Sequence, residues 1–182
     1  MYTFKNLYKY AVGPAVVTFF LLLVPLVAMQ ISNEVAWNLP DFVVAGSFLF
    51  VTGFTYRLVT REANNNAYRI AVALALGTAL LLIWVNLAVG LTGPENDLAN
   101  LVYFAVLVIG ITGAIIVRFQ PSGMARALFA TALAQTLVAV IALSTGVAQY
   151  PGSSVSEILA VNSFFVVLWI GSALLFHYAA RR

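Results

Sequence analysis

The chain has 182 residues, of which 63% are hydrophobic and 8% charged, with a formal net charge of +3 and no cysteine. A soluble domain has about a quarter of its residues charged, so this composition excludes one and points to a protein built for the bilayer. The missing cysteine excludes disulfides, thiolate catalysis and thiolate-bound metal, and no basic run with interleaved aromatics suggests nucleic acid as a partner.

A membrane helix takes about 20 mainly apolar residues, and six stretches meet that length: 11–32, 41–61, 69–92, 100–118, 126–148 and 158–178. The first follows Lys5 and Lys9 and contains two prolines. Pro14 lies near its start, where a missing N–H costs little. Pro25 lies deeper, frees the carbonyl of Leu21 and predicts a kink. The apolar run is too long for a signal peptide and lacks a small-x-small cleavage site, so it reads as a span. "NEVAWNLP" leads into the second span, which ends at Arg57 and Arg61, and "EANNNA" leads into the third. The third carries Ala71, Ala75 and Ala79 at spacing four, with Ala73 and Gly77 on a neighbouring stripe. "GPENDL" precedes the fourth span, with Gly110, Gly113 and Ala114, and "QPSGM" precedes the fifth, with Ala130, Ala134, Ala139 and Ala142. "YPGSSVS" precedes the sixth, with Gly171, Ser172 and Ala173. Lipid tails are as apolar as leucine, so helices associate where small residues let backbones approach. These stripes read as seams within the chain rather than as a dimer motif.

The expected architecture is therefore all-α: a polytopic transmembrane six-helix bundle forming one domain over residues 1–182, with short loops. Lys and Arg favour the cytoplasmic side of short loops. With six spans, Lys5, Lys9, Arg57, Arg61, Arg69, Arg118, Arg126, Arg181 and Arg182 all fall on one side, so both termini are expected in the cytoplasm. Glu34, Asp41, Glu95, Asp97 and Glu157 face outward, and only Glu62, beside Arg61, joins the basic side. Trp37 and Tyr150 near the outer edge, and Tyr8, Tyr10, Tyr56, Tyr68 and Tyr178 near the inner one, fit the interfacial preference of amphipathic rings.

An ionisable residue inside the membrane is a functional hypothesis by default, and none lies near mid-span. No catalytic set, metal site or cofactor site can be assembled. The single histidine, His177, reads as an interfacial residue near a helix C-terminus, which favours partial positive charge. The acidic turn "PENDLAN" offers oxygen ligands, but most such turns are simply solvated.

Serine and threonine satisfy themselves on their own helix carbonyls. Asn86, Gln135 and Asn162 do so less easily. Their plainer reading is interhelical hydrogen bonding, worth about 0.6 kcal/mol each. Their sharper reading is an outward-opening polar cavity lined by Asn86, Gln135, Thr136 and Asn162, with Glu95 and Asp97 at its mouth. On the inner side Arg57, Arg61, Arg69, Arg118 and Arg126 are candidate contacts for anionic lipid headgroups.

The segment "NLAVGLTGPENDLANLVYFAVLVIGITGAIIVRFQPSGMARALFATALAQTLVAVIAL", residues 86–143, resembles uncharacterised small multi-span proteins of the bacterial inner membrane. The resemblance covers about the middle third of the chain. It implies a bacterial cytoplasmic membrane as the location and no mechanism.

Two functions are carried forward. The leading expectation is a non-enzymatic structural or accessory membrane component, in contact with lipid and associating with itself or a larger complex. The alternative is a small transporter or channel for a neutral or weakly polar solute, resting on the three amides and the kink expected at Pro25.

Overall fold

The structure is a computed structural model of the chain, and it describes residues 7–32, 34–88, 91, 98–144 and 154–182. The described residues form six α-helices and no strand. In chain order these are α1 (Leu7–Ile31), α2 (Leu39–Val59), α3 (Asn66–Ala88), a short 3₁₀ helix (Leu98–Leu101), α4 (Val102–Ile116), α5 (Pro121–Ser144) and α6 (Val155–Ala179). All but α4 are long and apolar enough to cross a membrane, so by length and composition the chain is a multi-pass membrane protein. The 15 residues of α4 rise about 22 Å. The 3₁₀ helix ahead of it adds about 8 Å at its steeper rise, which together match the roughly 30 Å of a hydrocarbon core.

The helix ends follow local chemistry. Asn38 caps α2 reciprocally: its side chain accepts from the Asp41 amide at 3.1 Å, and the Asp41 carboxylate accepts from the Asn38 amide at 2.7 Å. Pro40 sits in the first turn, where no intrahelical N–H is needed. Ser154 caps α6 by accepting from the Glu157 amide at 3.1 Å. The helix α1 runs unbroken through Pro14 and Pro25.

The chain divides into two compact units, residues 1–62 and 63–182. In the first, α1 and α2 form an antiparallel hairpin with a narrow seam. A Cβ at Gly53 would sit 3.2 Å from Pro14 Cβ, and one at Gly46 would sit 3.2 Å from Leu22 Cδ1. The Arg57 guanidinium lies over the bare backbone of Gly13.

In the second unit α6 packs most extensively on α5 and also on α3, while α5 packs on α4 and α3 touches α4 more lightly. Ala71, Leu82, Tyr103, Val106, Leu128, Ala132, Phe165, Trp169, Ala173 and Phe176 fill its core. The seam between α4 and α5 runs where small residues suggested. A Cβ at Gly113 would come within 2.8 Å of Ala127 Cβ, and one at Gly110 within 3.2 Å of Thr131 Oγ1. Other members of the stripes point elsewhere: Ala73 and Ala130 are exposed and Gly77 faces open space. The buried side of α3 is set by Tyr68, Ala71, Val72, Thr78, Leu82 and Asn86, a spacing of three and four that turns Ala73 away.

The turn between α4 and α5 is tight. Arg118 and Phe119 both take left-handed backbone conformations, with φ of 51° and 57°. The amides of Arg118 and Phe119 return to the carbonyls of Ile115 and Ala114 at 3.0 and 3.1 Å, closing the end of α4. Pro121 then opens α5 five residues ahead of the expected start at 126. A proline at a helix start lacks only an N–H that would have gone unused. Gly123 fits against Val117, where a Cβ would come within 2.5 Å of Val117 Cβ.

Candidate functional site

The core of the four-helix unit holds a chain of polar side chains from three helices. Gln135 on α5 is fully buried, and its Nε2 donates to Asn162 Oδ1 on α6 at 2.8 Å. Asn162 Nδ2 donates in turn to the carbonyl of Ile158, one turn earlier on α6, at 2.8 Å. It also donates to the hydroxyl oxygen of Tyr103 on α4 at 3.2 Å.

These contacts fix the amide orientations. A carbonyl can only accept, so the atom of Asn162 facing Ile158 must be its nitrogen. Its oxygen therefore faces Gln135, and Gln135 must present nitrogen to it. The oxygen left over, Gln135 Oε1, is buried and finds no hydrogen-bond partner among the described residues. Trp169 Nε1, farther along α6, is buried and unpartnered in the same sense. It is a donor.

Asn86 belongs to a different arrangement, at the end of α3 nearest the 3₁₀ helix. Its Nδ2 donates to the carbonyl of Asn100 at 3.0 Å, and the Asn100 side chain accepts from the Leu91 amide at 2.9 Å. These bonds tie the end of α3 to the start of the α4 segment. Thr136 is exposed, and its hydroxyl donates to the Ala132 carbonyl on its own helix at 2.9 Å. Of the four residues expected to line one cavity, Gln135 and Asn162 are bonded together, Asn86 is bonded to Asn100, and Thr136 faces outward. Glu95, Asp97 and the turn that carries them lie outside the described residues.

Tyr103 and Trp169 were not singled out in the sequence. The signal for both was available: a phenol and an indole within apolar runs each carry a polar tip that needs a partner when buried. Ser172 was legible only as a small residue. Its hydroxyl donates across to the Ala71 carbonyl of α3 at 2.8 Å.

The five arginines named as lipid contacts divide between the two units. In the hairpin, Arg57 lies in the last turn of α2, and Arg61 pairs with its neighbour Glu62 at 3.2 Å. In the four-helix unit, Arg69, Arg118 and Arg126 are all exposed. They share one end, where the Tyr68 hydroxyl donates to the Phe119 carbonyl at 2.9 Å and Asn65 Nδ2 donates to the Ala179 carbonyl at 3.3 Å. The same end carries Arg181 and Arg182, the latter stacked over the Tyr178 ring at 4.7 Å. Among the described residues no three histidines, aspartates or glutamates lie together as metal ligands would.

Against protein-family models, curated proteins and solved structures, the chain gives no match.

Proposed function

We propose that this multi-pass membrane protein is a non-enzymatic accessory component that acts by association, with a second copy or within a larger membrane assembly, through its α1–α2 hairpin. The observation that carries this reading is the exposure of the hairpin's apolar surface. Among its described residues only Pro14, Thr18, Ala45 and Thr60 are buried. Val16, Val17, Phe19, Phe20, Val24, Val27, Val43, Val44 and Val51 are exposed. The four-helix unit contrasts with this, since α5 alone buries eleven residues. A two-helix hairpin with so little interior gains from packing on further helices, because close side-chain contact is what drives association in lipid.

The location proposed is a bacterial inner membrane, with the arginine-bearing end of the four-helix unit and both termini in the cytoplasm. The support is the charge asymmetry between the loops and the resemblance of residues 86–143 to proteins of that membrane. Anionic headgroups are the partners proposed for Arg69, Arg118 and Arg126, and for Arg57 and Arg61 in the hairpin.

The natural chain lacks cysteine, so single cysteines can be introduced cleanly. In lipid vesicles, Val16→Cys or Val51→Cys is expected to give disulfide-linked dimers, or adducts with a co-purified partner. Ile111→Cys, exposed on α4, should give neither. A protein that stays monomeric and partner-free by light scattering in mild detergent, with no cross-link from either hairpin position, would rule the reading out.

A further inference from the structure

We propose that the core of the four-helix unit holds one small neutral molecule, hydrogen-bonded to Gln135 Oε1, that both donates and accepts hydrogen bonds. Water is the smallest member of that class, and a solute carrying an amide or hydroxyl is the next.

The orientation of the two amides is forced. Gln135 cannot be turned to hide its oxygen without losing its bond to Asn162, and Asn162 cannot be turned without losing its bond to the Ile158 carbonyl. A buried amide oxygen left without a donor carries its full desolvation penalty, which is larger where the surroundings are hydrocarbon. Gln135 lies nine residues before Ser144, the last described residue of α5, so it is deep in the helix, about 13 Å from that end. Asn86 Oδ1 is also unpartnered. It lies two residues from the end of α3, apart from the Gln135–Asn162 pair.

The complementary donors come from the same core. The Tyr103 oxygen accepts from Asn162, which leaves its proton free to turn toward an acceptor. Trp169 follows Asn162 by seven residues on α6. That is about two helical turns along the same face. The Gln135 side chain and the Tyr103 hydroxyl thus both adjoin Asn162, and the Trp169 indole lies about 10 Å farther along α6. No formal charge lies with them among the described residues, and an ion there would lack a counter-charge. A neutral molecule with both hydrogen-bonding functions answers the Gln135 oxygen and the Tyr103 hydroxyl. Its presence does not depend on how the hairpin associates.

The test uses the full chain in vesicles of phosphatidylethanolamine and phosphatidylglycerol, with ¹⁵N in side-chain amides and indoles. Solid-state NMR signals of Gln135 and Trp169 are assigned by their loss in Gln135→Met and Trp169→Phe. If water is the occupant, magnetisation should pass from water to the Gln135 amide and Trp169 indole several-fold faster than to the buried backbone amide of Leu82. If a solute is the occupant, added acetamide should shift the Gln135 signal and leave Leu82 unmoved. Either result supports the site and separates its two sources. Transfer no faster than to Leu82, together with no shift on acetamide, would overturn it. Should Gln135→Met fail to fold, the Gln135 side-chain signal is assigned in the unmutated protein by its correlation with the backbone amide of the same residue, and the same outcomes decide.

Discussion

The hydroxyl of Tyr68 donates to the carbonyl of Phe119 at 2.9 Å, tying the first turn of α3 to a reversal in which two non-glycine residues hold positive φ. Tyr68 also meets Phe176 edge to face, with ring centroids 5.2 Å apart. One side chain therefore joins α3, the α4–α5 turn and α6 at the arginine-bearing end.

Tyr68→Phe keeps the ring contact and removes only the hydrogen bond, so it should cost about 1 kcal/mol. Phe119→Gly in the same background should return a similar amount, because glycine adopts the left-handed conformation without the Cβ penalty of about 1 kcal/mol. Reversible unfolding in bicelles measures both. A Phe119→Gly variant less stable than its parent would mean that the ring's packing outweighs backbone strain.

Gly113→Ala should destabilise the α4–α5 seam by about 1–3 kcal/mol, since the new methyl would meet Ala127 Cβ at 2.8 Å. Adding Ala127→Gly should recover part of the loss, and the two changes should be non-additive. Gly77→Ala is the internal control. It faces open space within α3 and should be neutral or stabilising by about 0.5–1 kcal/mol. Equal losses at positions 77 and 113 would refute the seam.

Asn162→Leu removes three hydrogen bonds and strands Gln135 Nε2. At about 0.6 kcal/mol for each interhelical bond, plus the cost of a stranded donor, the loss should reach about 2 kcal/mol. Asn162→Ser should not rescue it, because serine is too short to keep both Gln135 and Tyr103. Thr136→Val, on an exposed face, should change little. Thermal unfolding of the three variants in one detergent makes the comparison.

Single cysteines report orientation. Phe119→Cys and Arg182→Cys should react with a membrane-impermeant maleimide only in inverted vesicles, and Glu157→Cys only in intact spheroplasts. Labelling of Phe119→Cys and Arg182→Cys from opposite faces would refute the six-crossing topology.

The helices were legible because each apolar run is long and each break carries Gly, Pro or Asn, so composition alone places the elements. Their ends were less legible. Pro121 reads as a breaker until the left-handed pair before it shows that it opens a helix, and α4 reads as a full span although its α-helical part is 15 residues. The polar core was half legible. Gln135 and Asn162 stood out as amides in grease, but their pairing joins residues 27 apart in sequence and depends on how α5 and α6 are rotated. Tyr103 and Trp169 carry a weaker signal, because aromatic residues in a membrane helix are expected at headgroup depth, where water serves their polar tips.

The four-residue 3₁₀ stretch ahead of α4 has a consequence for membrane thickness. Rewinding it as α-helix would shorten the rod by about 2 Å, and mismatch costs only fractions of a kcal/mol per ångström. The other five helices have length to spare and can meet a thinner or thicker sheet by tilting. Of the six helices α4 has the least length in reserve, so a thicker sheet would reach its ends first.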